Sequence, residues 1–287
     1  MPGESHPRRA TLADRFVMPA PAAPAPPVTG PFAGIIRRVD LPAGTRSVAL
    51  TFDLCQTRSP IAGYDGAIVD YLRANTVPAT FFPAGRWLET HRDRAEQLAA
   101  DPLFELGNHS FDHPDLHSAA ADKIESEILL TEGSLAATRA AAATTCATVA
   151  TPAQRLFRFP YGSCSAAGPA VANAIGSVVI QWDVVSGDPD GTSAATITAN
   201  VMRAVQPGSI VVMHANGRGT HTAEALARIV PRLRAEGYTF LTVSGLLAAG
   251  RPVAATACYI NRPGDTTRYD NRIARHAPTA AQPRRAS

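Results

Sequence analysis

The sequence predicts an α/β protein in which about seven parallel strands form a β/α barrel. Two observations carry this prediction. Short apolar runs alternate with longer amphipathic segments between Ile35 and Ala249, and polar side chains follow several of the apolar runs. The alternation favours a parallel sheet covered by helices. The polar side chains indicate that the carboxyl ends of the strands meet at one functional site.

The strand candidates are short and rich in β-branched residues, as expected for strands buried on both faces. In chain order they are Ser47–Asp53, Ala79–Phe82, Phe104–Leu106, Leu156–Phe159, Ser177–Asp183, Ser209–His214 and Tyr238–Val243. Helices are predicted between strands wherever apolar residues recur at helical spacing. These segments are Asp65–Asn75, Ala121–Ala143 and Ala223–Glu236.

Polar residues fall at or just after the ends of five different predicted strands. They are Asp53, His109, Arg158, Asp183 and His214. A buried strand does not need charge at its end for stability, whereas barrel enzymes build their active sites from the ends of several strands. An open sheet would concentrate its site at one switch point instead. The spread over five strands therefore favours a barrel.

The histidine pair His109 and His113 is a candidate metal site. Neutral imidazole is a common ligand of zinc and related metals, and two rings four residues apart can hold one ion. Pro114 disfavours helical backbone at His113, which places the pair on a loop after Phe104–Leu106. The spacing alone is unspecific, and its weight comes from the other polar residues at the strand ends.

The two ends of the chain differ from its centre in composition. Of 287 residues, 45% are hydrophobic, and the net charge is +3. Residues 1–33 are rich in Pro and Ala and are predicted to form a flexible leader or linker, followed by a barrel over 34–250. Residues 251–287 form a basic tail, predicted to be solvated, so no nucleic-acid partner is expected. No run predicts a transmembrane segment, and the first residues show no signal-peptide core.

The four cysteines do not fix a disulfide pattern. Cys55, Cys146, Cys164 and Cys258 allow none, one or two bridges, and the pairing does not follow from the sequence. Cys55 and Cys164 both lie close to predicted strand ends, at the same rim of the barrel. A disulfide between them is therefore predicted, on condition that their Cα atoms come within about 7 Å.

Five short motifs occur in order along the predicted barrel. They are Thr51–Asp53, His109–Pro114, Arg158–Gly162, Trp182–Asp183 with Asp188, and Val211–His214. Together they resemble the motifs of the polysaccharide deacetylases, carbohydrate esterase family four. The resemblance covers roughly Val48 to Leu247. It implies a distorted (β/α) barrel and metal-assisted removal of acyl groups from N-acetylated sugars in a polysaccharide or glycoconjugate.

The resemblance also implies a catalytic or metal-binding role for particular residues. Asp53 is the base that activates water, and Arg158 pairs with it and keeps it ionised. His109 and His113 hold a divalent metal, expected to be zinc. His214 is the general acid, and Asp188 matches the family's orienting carboxylate better than Asp183 does.

Four further residues are expected to bind substrate on the same basis: Pro160, Tyr161, Trp182 and Met213. The backbone N–H of Tyr161 would donate to the oxyanion that forms during amide hydrolysis. Met213, with Val212, would line the pocket for the acyl methyl group, and Trp182 would form a pocket wall.

The chain departs from the family pattern at two positions. The family's first motif carries a second aspartate, a metal ligand, where this chain has Leu54, and Pro189 stands where its fourth motif has a tryptophan. Leucine cannot coordinate a metal, so three explanations stay open. Cys55 or Asp112 completes the site, or water or substrate fills the vacant position, or the site holds no metal. A Cys55–Cys164 disulfide is favoured over thiolate ligation.

The leading hypothesis is a hydrolase of non-peptide C–N bonds, because the base, arginine, acid and both histidines are all present. The alternative is a catalytically silent carbohydrate-binding or scaffold protein on the same barrel. The family resemblance favours a periplasmic or secreted location. Nucleic-acid binding through the Arg-rich tail is a weaker third hypothesis, which predicts affinity that falls steeply with salt.

Overall fold

Strands and helices alternate along the chain in this computed structural model, which describes residues 6–145, 149, 152–262 and 265. The strands are β1 (Ile35–Asp40), β2 (Ser47–Leu54), β3 (Ala79–Pro83), β4 (Phe104–Leu106), β5 (Arg155–Phe157), β6 (Ser177–Ile180), β7 (Val184–Val185), β8 (Ile210–His214), β9 (Thr239–Phe240) and β10 (Arg251–Ala255). The helices are α1 (Gly66–Ala74), α2 (Gly85–Thr90), α3 (Arg92–Ala100), α4 (Ala121–Thr145), α5 (Gly168–Ala174), α6 (Ala194–Ala204), α7 (Thr222–Ala235) and α8 (Val243–Ala249).

The strands are arranged in two curved sheets that together form a distorted barrel. One sheet has the order β4-β3-β2-β8-β7, with every pair parallel, and β9 also pairs with β2. The other has the order β10-β1-β6-β5. Bridges between Asn108 and Phe157 and between Arg38 and Ser209 connect the two sheets. The predicted α/β fold, a distorted (β/α) barrel built mainly from parallel strands, is confirmed.

The central strand β2 shows how the barrel separates two environments. All of its residues are buried. Leu50, Phe52 and Leu54 belong to an apolar cluster that includes Ile68 of α1 and Leu226 of α7, so these side chains face the helices. The alternate residues face the barrel interior, because successive side chains of a strand point to opposite faces. Asp53 is thereby directed into the interior at the carboxyl end.

Two predicted strands are shorter than the apolar runs that indicated them. The run Tyr238–Val243 contains only the two-residue strand β9, because α8 begins at Val243. The run Ser177–Asp183 ends as a strand at Ile180, and β7 begins a separate pairing with β8. The apolar runs correctly predicted that Tyr238, Phe240 and Val243 and the whole of Ser177–Ile180 are buried, but they did not predict where the strand pairing ends.

The proline-rich residues 6–33 run along the barrel surface, in contrast to the predicted flexible leader. The backbone N–H groups of Ala22, Ala25 and Val28 donate to carbonyl oxygens of the barrel at 2.9, 3.1 and 2.9 Å. The segment lies so close to α4 that a Cβ at Gly133 would overlap the carbonyl oxygen of Ala20. A Pro/Ala segment has no hydrophobic period, so its packing gave no signal in the sequence.

The barrel continues beyond the predicted boundary at residue 250. Strand β10 pairs antiparallel with β1, and Cys258 then forms a disulfide with Cys164, with 5.7 Å between the Cα atoms. The predicted Cys55–Cys164 disulfide is wrong: Cys55 is a buried free thiol. The error arises because β10 brings a distant cysteine to the rim. Cys146 and residues 266–287, most of the predicted basic tail, lie outside the described residues.

Within the described ranges, no helix combines the length and the apolar character required to cross a membrane.

Candidate active site

A pocket of about 450 Å³ opens at the carboxyl ends of the strands. Most of the predicted site residues line it: Asp53, His109, His113, Tyr161, Trp182, Asp188 and His214. Cys55 and Val212 also contribute to its wall. Parallel strands end at the same edge of a barrel, so side chains that are far apart in sequence meet there.

Asp53 and Arg158 form a fully buried ion pair at the base of the pocket. The Arg158 Nη1 donates to Asp53 Oδ1 at 2.8 Å and to the hydroxyl of Thr51 at 2.8 Å. Burial alone would raise the pKa of Asp53, but Arg158, together with His109 and His214, outweighs it, and the pKa lies below its ordinary value. The carboxylate is therefore ionised and held in one orientation.

The backbone just after β5 orients the ring of His109. Its Nδ1 lies 2.9 Å from the carbonyl oxygen of Arg158, which can only accept, so Nδ1 carries the proton. Nε2 then carries the lone pair and faces Asp53 Oδ2 at 3.6 Å. Burial lowers the pKa of His109, which favours the neutral ring. A neutral imidazole whose other nitrogen donates to a carbonyl is the usual form of a histidine metal ligand.

His113 lies beside His109 on a loop held in an uncommon conformation. The ring centroids are 4.8 Å apart, and His113 has φ 52°, in the left-handed region. Both of its ring nitrogens are buried without a hydrogen-bond partner among the described residues. Such a group costs free energy unless something binds it, and strained backbone clusters at functional sites.

Cys55 adds a third donor to the two histidines. Its Sγ and one ring nitrogen each of His109 and His113 lie within 4.8 Å of one another. Burial would raise the pKa of the thiol, but the adjacent His113 and His214 outweigh it and lower the pKa to about 7. Thiolate and imidazole are the donors that zinc prefers, so these residues fit a divalent metal.

His214 and Asp188 form a second pair of interacting side chains in the pocket wall. His214 Nδ1 lies 2.9 Å from Asp188 Oδ1, and the backbone N–H of His214 donates to Oδ2 at 2.7 Å. The hydroxyls of Ser186 and Thr222 donate to the same carboxylate. Burial would lower the pKa of His214, but Asp188 and, to a smaller extent, Cys55 outweigh it and raise the pKa well above its ordinary value. His214 is thus protonated at neutral pH.

Comparison with known proteins agrees with this geometry. Residues 40–180 match the family model described as polysaccharide deacetylase. The chain belongs to the polysaccharide deacetylase family. It is 29% identical to a peptidoglycan-N-acetylglucosamine deacetylase of Bacillus cereus over 73% of this chain and 71% of that protein. It is 28% identical to a chitooligosaccharide deacetylase of Azorhizobium caulinodans over 67% of this chain and 90% of that protein.

Solved structures of the family share the fold. A peptidoglycan N-acetylglucosamine deacetylase superposes with a TM-score of 0.62 at 28% identity, covering 74% of this chain and 92% of that chain. A CE4 family pseudoenzyme from Bacillus anthracis superposes with a TM-score of 0.61 at 27% identity, covering 80% and 71%. The family thus includes both deacetylases and a protein described as a pseudoenzyme.

Two of the residues that the family resemblance assigned to substrate do not line the pocket. Met213 is fully buried in the outer apolar cluster, so its predicted place in the acyl pocket is wrong. Strand alternation on β8 directs Val212 and His214 inward and Met213 outward. Pro160 is also buried and opens the short turn that presents Tyr161.

The two other candidate carboxylates, Asp112 and Asp183, are bound by residues outside the catalytic pairs. Asp112, one of the candidate replacements for the family's second aspartate, is bound by the guanidinium groups of Arg58 and Arg86 and is absent from the pocket wall. Asp183 accepts from the Ser209 hydroxyl at 2.9 Å and the Ile210 N–H at 2.9 Å. The choice of Asp188 over Asp183 as the partner of His214 agrees with these contacts.

Two groups of residues around the site were missed by sequence reasoning. Glu127 of α4 accepts from the backbone N–H groups of Phe111 and Asp112 at 2.7 and 2.8 Å, and so holds the histidine loop. Ile260 and Asn261 form part of the pocket wall. Neither group belongs to a motif, and the only signal for the second was the unassigned cysteine Cys258 just before it.

Proposed function

We propose that this chain hydrolyses the amide bond of N-acetylated sugars in a polysaccharide or glycoconjugate, as a metal-dependent deacetylase with zinc as the metal. One observation carries the proposal. The ionised Asp53–Arg158 pair and the protonated His214–Asp188 pair lie on one pocket that also contains the donors of His109 and His113. A base and an acid with separated pKa values are what amide hydrolysis requires.

Asp53 acts as the base in this proposal. Its carboxylate accepts a proton from the water that attacks the acetyl carbonyl. Arg158 fixes the orientation of the carboxylate through the 2.8 Å contact, so that the second oxygen, Oδ2, faces the histidines. A divalent metal held by His109 and His113 would polarise the acyl carbonyl and acidify the water.

His214 acts as the acid. The amine leaving group needs a proton when the C–N bond breaks, and a histidine that is protonated at neutral pH supplies it. Asp188 keeps the Nδ1 of His214 occupied, which leaves Nε2 as the atom that transfers the proton. The backbone N–H of Tyr161 stabilises the oxyanion, and Val212 and Trp182 enclose the acetyl group.

The proposed location is the cell envelope or the extracellular medium. The Cys164–Cys258 disulfide supports it, because structural disulfides persist in oxidising compartments. The relatives named for peptidoglycan and chitooligosaccharides support a carbohydrate substrate outside the cytoplasm.

Acetate release tests the proposal. The purified protein, incubated with zinc, cobalt or nickel, is given N-acetylated chito-oligosaccharides or peptidoglycan, and acetate is measured. We expect turnover by the wild type and a loss of about 10²–10⁴-fold in His214→Gln, the usual contribution of an acid–base group. His221→Gln is the matched control, because His221 is half exposed on α7's N-terminal side. Absence of acetate release with every metal and both substrates would reject the proposal.

A second candidate function is carbohydrate binding without turnover. Leu54 favours it, since the resemblance places a ligand carboxylate at this position, and the family includes a pseudoenzyme. Calorimetry with the same oligosaccharides separates the two functions. Binding that is equal in wild type, His109→Ala and His214→Ala, with no acetate released by the wild type, would establish the silent protein.

A further inference from the structure

The side chain at position 54 faces away from the pocket. Leu54 is fully buried in the outer apolar cluster with Phe52, and β2 continues through it, paired with Pro83 of β3. Its carbonyl oxygen accepts from the N–H of Ala84 at 3.1 Å. Since side chains alternate along a strand, the residue that follows Asp53 on the pocket side is Cys55.

Two hydrogen bonds fix the backbone at Cys55 and at Asp53. The side-chain amide of Asn216 donates to the Cys55 carbonyl oxygen at 2.7 Å, and the Ala215 N–H donates to the Asp53 carbonyl oxygen at 3.1 Å. The thiol lines the pocket, whereas the other two described cysteines are joined in a disulfide. The backbone therefore places the Cys55 thiol in the pocket wall, and no rearrangement of the chain is needed to bring it there.

The two histidines present lone pairs toward this thiol. His109 Nδ1 is occupied by the Arg158 carbonyl, which leaves Nε2, and both ring nitrogens of His113 are buried without a partner among the described residues. One nitrogen of each ring lies within 4.8 Å of Cys55 Sγ. Asp53 is bound by Arg158 through Oδ1 and acts as the base through Oδ2 in the proposed function, so it is not counted as the missing donor.

We propose that Cys55, His109 and His113 are the protein ligands of a divalent metal, with the Cys55 thiolate in the role that the family resemblance gives to a second aspartate. The inference rests on the proposed hydrolase function, which requires a metal in this pocket. Coordination releases the thiol proton to solvent. Three protein donors, one sulfur and two imidazoles, suit zinc and leave a coordination position open, as in catalytic zinc sites.

Cobalt spectroscopy of the full-length apoprotein tests the ligand set without an activity measurement. Thiolate ligation gives a sulfur-to-cobalt charge-transfer band in the near ultraviolet, and imidazole and carboxylate ligands do not. We expect the band in the wild type and in Cys146→Ser, and its loss in Cys55→Ser. Cobalt that binds to the wild type without the band, a band that survives in Cys55→Ser, or failure of cobalt to bind would overturn the inference.

Two further variants test the position of the ligand. Cys55→Asp is expected to bind cobalt without the band, because a carboxylate replaces the thiolate on the same face. Leu54→Asp is expected to keep the wild-type band and to have a lower melting temperature, because its carboxylate lies in the apolar cluster. Loss of the band in a folded Leu54→Asp would contradict the inference. If Leu54→Asp does not fold, the Cys55 variants decide alone.

The ligand inference and the proposed function fail in different ways. Acetate release by a protein whose cobalt form lacks the band keeps the hydrolase and rejects the cysteine ligand. A band in a protein that releases no acetate keeps the ligand set and rejects the hydrolase.

Discussion

The pKa values of Asp53 and His214 depend on burial and on the charged groups around each side chain, among which one partner has the largest effect. Arg158 lowers the pKa of Asp53 and Asp188 raises that of His214, in both cases against the effect of burial on the charged form. A base that is ionised and an acid that is protonated at the same pH are the condition for the proposed chemistry. Replacing either partner therefore changes the pH range of activity.

Asp188→Asn is expected to move the alkaline limit of activity to lower pH. The carboxylate stabilises the protonated ring of His214, so its removal lowers the pKa of His214 and the acid form is lost earlier as pH rises. The pH profile of kcat/KM measures this shift. Asp190→Asn, on the same turn, is the matched control. An unchanged alkaline limit in Asp188→Asn would mean that His214 is not the acid.

Arg158→Met is expected to destabilise the fold by about 3–5 kcal/mol at neutral pH, because it leaves the Asp53 carboxylate buried without a counterion. In the wild type, ionised Asp53 contributes to the free energy of unfolding at every pH above its pKa in the unfolded chain. This contribution is lost as pH falls through the lower pKa that Asp53 has in the folded protein. The difference in the free energy of unfolding between wild type and Arg158→Met should therefore become smaller at acid pH. Urea unfolding at several pH values measures it.

The control for Arg158→Met is Arg203→Met on the exposed side of α6, which should change stability by less than about 0.5 kcal/mol. If Arg158→Met is destabilised no more than this control at neutral pH, the buried pair is not what holds Asp53 ionised.

At the scale of elements, helix α4 positions the histidine loop that follows β4. Glu127 binds two backbone N–H groups of the loop, and Asn108 at its start donates to the Ile128 carbonyl oxygen at 3.0 Å and to Glu132 at 2.8 Å. These contacts allow the uncommon backbone at Ser110 and His113. A helix that the sequence predicted only as an outer layer of the barrel thus shapes the proposed metal site.

Glu127→Ala is expected to weaken metal binding by about 10–100-fold, the range seen when groups that orient metal ligands are removed. The two loop N–H groups lose their acceptor, and His113 is no longer fixed. Competition with a zinc chelator measures the affinity. Glu125→Ala, two residues earlier on α4, is the matched control. Equal metal affinities in the two variants would exclude an orienting role for Glu127.

At the scale of the whole molecule, the chain after β10 closes the pocket. Trp182 Nε1 donates to the Ile260 carbonyl oxygen at 3.0 Å, and Arg37 donates to those of Tyr259 and Ile260 at 2.8 and 3.1 Å. The disulfide at Cys258 ties this wall to the loop that carries Tyr161. The disulfide therefore joins two parts of the chain that are 94 residues apart in sequence and lie beside the same pocket.

Cys258→Ser is expected to lower the unfolding free energy by about 2–5 kcal/mol, as the loss of a disulfide closing a long loop does. It should also raise KM more than it lowers kcat, because Ile260 and Asn261 lose their anchor while Asp53 and His214 keep theirs. Thermal unfolding and steady-state kinetics measure the two effects. Reduction of the wild type should reproduce both, and Cys146→Ser should show neither.

Much of the fold was predictable because buried strands consist mainly of apolar, β-branched residues. The apolar, β-branched runs of β2 and β8 identified buried parallel strands, and their polar ends identified the rim that carries the site. The N-terminal segment and β10 were not predictable, since their place depends on surfaces that exist only after the barrel has formed. The Cys164–Cys258 disulfide was missed for the same reason.

The sequence by itself determined which residues with chemically useful side chains occur, and in what order along the strands. Asp53, His109, His113, Arg158 and His214 were all identified in this way. Only the tertiary structure decided which neighbours of these residues face the pocket: Cys55 and not Leu54, Val212 and not Met213. The physical reason is that a shift of one residue reverses the face of a strand, and the face is set by pairing with distant strands.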